Sequence, residues 1–119
     1  MPAPHNALKA ALAAKTVQMG LWMNLVSPIA AEALAGAGFD WLLIDGEHGP
    51  NDIPTILAQV QAIGSRTSVV VRPPVGEVRI VKQLLDLGVQ TIVVPMIETA
   101  DHAAQMVKAM HYPPKGLRG

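Results

Sequence analysis

The chain of 119 residues is long enough for one domain with a modest buried core. Its nine basic and nine acidic residues cancel, so the charge balance indicates neither a nucleic-acid-binding face nor a disordered acidic tail. Cysteine is absent, which excludes disulfides and thiolate metal sites. Half of the residues are hydrophobic but only 3% are aromatic, so the core must be built from aliphatic side chains.

The first predicted elements are a helix, a strand and a second helix. An amphipathic pattern predicts the leading helix over residues 6–14, and the apolar residues 19–26 predict the first strand. Ser27-Pro28 indicates an N-cap followed by proline at the first helical position. Gly36 or Gly38 is expected to end this second helix, because glycine commonly follows a helix C-terminus.

The middle of the chain predicts a strand, a helix and another strand. Residues 39–45 and 67–72 are near-continuous apolar runs, which are typical of strands buried on both faces in a parallel sheet. Asn51 is expected to cap the helix between them, and Gly64 is expected to end it. The apolar side chains of this helix share one face: Ile53, Ile56, Leu57, Val60 and Ile63.

The last predicted elements continue the alternation. A helix is predicted from about Glu77 to Leu87, followed by a fourth strand over residues 89–95. Thr99 is the expected N-cap of the final helix, which ends at the proline-containing segment 111–114.

Strict alternation of strands and helices predicts an α/β fold with a parallel sheet. Two closures are compatible with it. A flavodoxin-like, doubly wound sheet fits within about 120 residues, whereas a (β/α)₈ TIM barrel needs about 250, so this chain would supply its first four βα units. Polar residues follow all four strands at the same end, which in barrels is the catalytic face. A flavodoxin-like domain normally has a fifth strand, and none is visible after Tyr112.

The most informative segment is residues 39–50, where an apolar strand ends in Asp45, Glu47 and His48 between glycines. A strand followed by a polar turn explains the glycines and the proline that follows. A polar turn alone does not explain why two acidic residues and a histidine occur within four positions. The third strand likewise ends in a charged residue, Arg72.

These residues resemble the HpcH/HpaI aldolases. The resemblance covers nearly the whole chain and is strongest to the 4-hydroxy-2-oxoheptanedioate (2,4-dihydroxyhept-2-ene-1,7-dioate) aldolases. It rests on six segments in the same order and spacing: Gly20-Leu21-Trp22, residues 35–50, Val71-Arg72-Pro73, residues 82–86, Val94-Pro95-Met96 and residues 112–119.

The resemblance implies a class II, metal-dependent pyruvate aldolase, a carbon–carbon lyase of aromatic catabolism that releases pyruvate and an aldehyde from 4-hydroxy-2-oxo acids. It implies a (β/α)₈ barrel in a homo-oligomer, a hexamer, with a divalent ion such as Mg, Mn or Co. Family members are about twice this long. Their two metal-binding carboxylates and a substrate-holding glutamine would fall beyond Gly119. We therefore expect residues 1–119 to be the N-terminal half of one barrel domain, inactive by itself.

The resemblance also implies roles for individual residues. His48 is the general acid/base that takes the proton from the C4 hydroxyl, since an imidazole ordinarily titrates near neutral pH. Asp45 is expected to hold one nitrogen of that ring. Arg72 binds pyruvate and stabilises its enolate, because a guanidinium presents a planar fork to oxygen. Independently of the resemblance, Glu47 is expected to support metal-bound water because it lies beside His48, and Trp22 to line the substrate pocket because it lies at the end of the first strand.

Structural alternatives stay open for these side chains. His48 could be a surface histidine in a turn, Asp45 a cap at the strand end, and Arg72 part of a salt bridge across the barrel mouth. Trp22 could be a core residue. Arg118 could pack its own loop or contact substrate. The remaining histidines have no charged cluster around them in the sequence and are expected at the surface: His5, His102 and His111.

Three hypotheses follow for the whole molecule. The first is a cytoplasmic aldolase without nucleic-acid or membrane partners, in agreement with the absence of a signal-peptide pattern and of any apolar run of transmembrane length. The second is a small flavodoxin-like binding domain. The third is a noncatalytic half-barrel that works only by assembling with another chain.

Overall fold

The computed structural model describes residues 4–119 as five helices and four strands in alternation. The leading helix and the βα units are α1 (Ala7–Ala13), β1 (Gly20–Met23), α2 (Pro28–Ala35), β2 (Trp41–Asp45), α3 (Ile53–Ile63), β3 (Ser68–Arg72), α4 (Val78–Asp86), β4 (Thr91–Ile92) and α5 (Ala100–Ala109). No helix within these described residues is both long enough and apolar enough to span a membrane.

The four strands form one sheet in the order β1-β2-β3-β4, and each neighbouring pair is parallel. Strands that follow the chain order without reversal are the arrangement of a (β/α)₈ barrel. A flavodoxin-like sheet reverses at a switch point in the order 2-1-3-4-5, which this sheet does not do. The α/β barrel prediction is therefore confirmed for these four units, and the flavodoxin-like alternative is wrong.

The strands are shorter than the apolar runs predicted. The first covers Gly20–Met23 rather than residues 19–26, because Val26 adopts a positive φ of 52°, which a strand cannot contain. The fourth shrinks most, from 89–95 to Thr91–Ile92. It pairs with β3 alone among the described residues, and Pro95 has no N–H with which to extend the ladder.

Side-chain oxygens cap the helix N-termini largely as predicted. Ser27 accepts a hydrogen bond from the amide of Ala30 at 3.2 Å, and Thr99 accepts one from His102 at 3.1 Å. The expected cap of α3 was wrong. Asp52 occupies that position and forms a capping box with Thr55, which leaves the preceding Asn51 inside the protein.

Alternation along the strands separates two faces of the sheet. Leu42, Ile44 and Val71 pack against helices α2, α3 and α4, in the main core. Leu43 and Val70 face the other way and contact Leu8 of α1. The side chains that continue this second face toward the carboxyl ends of the strands are polar or aromatic. They include Trp22, Asp45 and Arg72.

Candidate active site

Asp45 and Arg72 form the centre of the site because the β2–β3 register places them opposite each other at the strand ends. The guanidinium donates from Nε to Oδ1 and from Nη2 to Oδ2, both at 2.8 Å. The Asp45 side chain is 1% exposed. The Arg72 hydrogen bond lowers the pKa of Asp45 to about 2, against the opposing effect of burial, and the same pair raises the pKa of Arg72.

Asp45 also shapes the loop that follows β2. Its Oδ1 accepts the backbone N–H of Glu47 at 3.0 Å and that of His48 at 3.4 Å. The sequence predicted that Asp45 would hold the imidazole of His48, and this dyad is not what the structure contains. Both carboxylate oxygens already bind Arg72, so Asp45 positions the His48 backbone rather than its ring.

Two more side chains surround the guanidinium of Arg72. Glu47 Oε2 lies 2.7 Å from Nη1 of Arg72, so this carboxylate forms an ion pair with the arginine. The Arg72 carbon Cζ sits 4.5 Å from the centroid of the Trp22 ring, within the range of a cation–π contact. Trp22 is 47% exposed and is thus not the core residue of the structural alternative. An arginine has five N–H donors, and three of those on Arg72 meet Asp45 and Glu47.

His48 lies at the open side of this cluster. Its side chain is 73% exposed, and Nε2 is 3.8 Å from Oε2 of Glu47. The ring therefore faces the same carboxylate that contacts Arg72. The structure brings His48, Glu47, Arg72 and Trp22 to one end of the sheet, as the positions of the strand ends predicted.

The site rests on two buried residues, Asn51 and Gln59, for which the sequence predicted no role at the site. Asn51 donates from Nδ2 to the backbone oxygen of Asp45 at 2.8 Å, and it accepts a 2.6 Å hydrogen bond from Gln59 Nε2. The sequence predicts a helix cap at Asn51, but Asp52 takes that position. The sequence did carry a signal for this buried pair, because Gln59 is a polar residue beside the apolar stripe of α3.

The remaining candidates lie outside this cluster. Arg118 donates to Asp86 Oδ1 at 2.7 Å and stacks on Tyr112, which supports the loop-packing interpretation. His5 and His111 are exposed, as expected. His102 is half-buried rather than a surface residue, because its Nε2 hydrogen-bonds the carbonyl of Gly76 at 2.9 Å and so joins α5 to the loop after β3.

The described residues do not make a divalent-cation site by themselves. Residues 4–119 contain no group of three or more acidic or histidine side chains placed to hold an ion. Asp45 and Glu47 are carboxylates of the candidate site itself, and both are bound to the Arg72 guanidinium. A positive group at that distance opposes a second cation on the same oxygens.

A parallel sheet in chain order with ionisable groups at its carboxyl ends places the chain among the α/β-barrel proteins. Within them, the chain belongs to the HpcH/HpaI aldolase/citrate lyase family, whose sequence model matches residues 18–119.

Curated relatives give the same assignment. The chain is 56% identical over 115 residues to the hydroxypyruvate/pyruvate aldolase of Deinococcus radiodurans, an alignment that covers 96% of this chain and 42% of the relative. It is 56% identical over 116 residues to the 4-hydroxy-2-oxo-heptane-1,7-dioate aldolase of Escherichia coli, covering 97% of this chain and 44% of that protein. The chain thus spans less than half the length of these relatives.

Solved structures match the fold as well. An HpcH/HpaI aldolase/citrate lyase family protein from Burkholderia cenocepacia superposes with a TM-score of 0.90 at 44% identity, covering 97% of this chain and 48% of that one. Macrophomate synthase superposes with a TM-score of 0.82 at 31% identity, covering 95% of this chain and 40% of that one.

Proposed function

We propose that this protein acts, within a whole barrel, as a class II metal-dependent pyruvate aldolase. The reaction is the reversible cleavage of a 4-hydroxy-2-oxo acid to pyruvate and an aldehyde. The single observation that carries the proposal is the geometry of Arg72, which two carboxylates and an indole ring hold at the carboxyl end of the sheet. Residues 1–119 would form the N-terminal half of that barrel domain.

Arg72 is proposed to bind the pyruvate moiety. With three of its five N–H groups directed to Asp45 and Glu47, two donors are left to meet the oxygens of a substrate carboxylate or enolate. Cleavage of the C3–C4 bond leaves its electron pair as an enolate on pyruvate. Donors held in advance stabilise that charge without reorganising during the reaction.

His48 is proposed as the group that moves the proton. In the cleavage direction, its imidazole takes the proton from the C4 hydroxyl as the C3–C4 bond breaks and the aldehyde carbonyl forms. Asp45 is unsuited to that task, because a carboxyl with a pKa of about 2 is fully ionised at neutral pH and a poor base. Glu47, 3.8 Å from the ring, orients the imidazole and the guanidinium together.

The remaining features of the proposal come from the relatives. Two of them are named for hydroxypyruvate/pyruvate and for 4-hydroxy-2-oxo-heptane-1,7-dioate, which supports a 2-oxo acid as the substrate class. The family resemblance supports a divalent ion and a homo-oligomer, a hexamer. The ion's ligands would come from parts of the barrel that these 119 residues do not contain. The ion would polarise the C2 carbonyl.

The test uses the full-length protein and measures pyruvate release from 4-hydroxy-2-oxo acids, with and without prior removal of metal by a chelator. Arg72→Ala should abolish most of the activity. Arg79→Ala, which removes an exposed arginine from α4, is the matched control and should retain it. A full-length protein that releases no pyruvate from any such acid, with metal restored, would refute the proposed function.

A further inference from the structure

The buried polar side chains of the described residues form a single connected group. They are Asp45, Asn51 and Gln59, exposed by 1%, 9% and 1%. Gln59 donates to Asn51, Asn51 donates to the backbone oxygen of Asp45, and the Asp45 carboxylate binds Arg72. A path of hydrogen bonds, linked through the covalent bonds of Asn51 and Asp45, thus runs from the middle of α3 to the guanidinium at the site.

The hydrogen bonds in this path have one possible direction. The Asp45 carbonyl can only accept, so the Asn51 amide must present its NH₂ group there and its oxygen toward Gln59. Gln59 must therefore present its own NH₂ group, whose two hydrogens meet Asn51 Oδ1 at 2.6 Å and the Thr55 carbonyl at 3.0 Å. A carboxylate or an apolar group at position 59 cannot replace it.

The path fixes both ends of the loop between β2 and α3. At the start of the loop, the Asp45 carboxylate accepts hydrogen bonds from the backbone amides of Glu47 and His48. At the end, Asn51 ties the chain back to the Asp45 carbonyl. Gly49 lies inside this closed loop, where an added Cβ would come within 2.5 Å of that carbonyl oxygen.

We propose that Gln59 and Asn51 are positioning residues, which act through the loop of residues 45–49 to hold His48 and Glu47 in place for the reaction. The inference rests on the proposed aldolase function. Burying two amides is unfavourable unless every polar atom is satisfied, and a fully satisfied network makes one conformation unique. Gln59 does not touch the site. It nevertheless supplies the hydrogen bond that the Asn51 oxygen accepts once the Asp45 carbonyl has fixed the orientation of the Asn51 amide.

The test compares Gln59→Met with Ile63→Val in the full-length protein. Methionine has similar length and volume but no hydrogen-bonding amide, and Ile63 is a fully buried residue of the same helix. Both changes should lower the melting temperature modestly. Only Gln59→Met should lower kcat, by about tenfold to a hundredfold with KM changed less, because a small misplacement of reacting groups has effects of that size. Gln59→Glu is a second variant and should behave like Gln59→Met.

Amide hydrogen exchange provides a readout independent of catalysis. Exchange at Glu47 and His48 should accelerate by about tenfold in Gln59→Met and stay unchanged in Ile63→Val, since local opening governs exchange in such loops. Asn51→Ala combined with Gln59→Met should be no worse than the more damaging single change.

The inference is wrong if Gln59→Met keeps both wild-type kcat and wild-type exchange at the loop, or if Ile63→Val slows the reaction equally. An inactive wild-type protein would refute the proposed function instead, and the exchange comparison would then still decide whether Gln59 orders the loop.

Discussion

Arg72 donates two hydrogen bonds of 2.8 Å to the carboxylate of Asp45, although the two residues lie 27 positions apart in the chain. The bond joins the carboxyl ends of neighbouring strands, and the Asp45 partner is almost completely buried. Because Asp45 also accepts two loop amides, one carboxylate sets the position of the guanidinium and the backbone of the residue proposed as the base.

The Asp45–Arg72 pair should make the protein's stability depend on pH in the acid range. The pKa of Asp45 is lowered from 3.8 to about 2 in the folded state, chiefly by Arg72. A lowered pKa contributes stability that is complete above pH 4 and is lost as the pH falls toward 2. The contribution is about 2 kcal/mol. Urea unfolding between pH 5 and 2 should show this loss in the wild type and lack it in Asp45→Asn, whereas Glu98→Gln should retain it.

Arg72→Lys should reduce kcat/KM by about a hundredfold, although the charge is kept. A lysine ammonium cannot bridge Asp45 and Glu47 and still present two donors to a substrate. Steady-state kinetics on the full-length enzyme would measure the change, with Arg79→Lys as the control for an exposed arginine. Near-normal kcat/KM in Arg72→Lys would mean that charge alone is needed at this position.

His48→Ala should lower the cleavage rate by on the order of 10²–10⁴, the usual contribution of a positioned base. Metal affinity should change little, because His48 is not proposed as a ligand. Single-turnover rates combined with a metal titration would separate these effects. His111→Ala, at another exposed histidine, should match the wild type. A His48→Ala enzyme with normal rate would remove this residue from the mechanism.

Gly49→Ala should displace the loop that carries the site. An added Cβ would lie 2.5 Å from the Asp45 carbonyl oxygen and 3.5 Å from Cα of Asn24, and backbone atoms cannot move aside easily. We expect a loss of about 1–3 kcal/mol in the free energy of unfolding, as for other overpacked sites. We also expect a lower kcat, because the loop carries His48. Gly36→Ala is the control, since its nearest neighbour would be 3.7 Å away and its φ is −94°. Equal effects of the two changes would contradict the prediction.

A polypeptide of residues 1–119 should neither cleave 4-hydroxy-2-oxo acids nor bind a divalent metal tightly, because its two site carboxylates are engaged by Arg72. It should also self-associate. Strands β1 and β4 are the edges of its sheet, and Val93 beside β4 is 42% exposed. Light scattering and metal calorimetry would test these expectations. An active, metal-binding monomer would refute them.

Two surface variants would show which surface of that polypeptide mediates its self-association. Val93→Lys places a charge beside the open edge of β4 and should reduce assembly. Val107→Lys changes a residue on α5 that is 56% exposed and should leave assembly unchanged. If Val107→Lys alone reduced assembly, the contact would involve the helical surface rather than the sheet edge.

The order of apolar and polar segments along the chain was enough to predict the parallel sheet and the end of the sheet at which the site lies. Continuous apolar runs between amphipathic helices predicted a parallel sheet, since strands buried on both faces have no polar alternation. Chain topology then required that the residues after those runs meet at one edge. Asp45, Glu47, His48 and Arg72 could be selected on that ground alone.

Which of these residues pair depends on the strand register, which the apolar pattern does not reveal. Asp45 and His48 are three positions apart, which made a dyad the natural prediction. Strand register instead places Arg72 directly opposite Asp45, and a bidentate ion pair occupies both oxygens. The role of Asn51 could not be predicted from the sequence either, because it also depends on tertiary contacts. Its partners are a backbone carbonyl and a glutamine eight residues on, and their proximity arises only when α3 packs against the sheet.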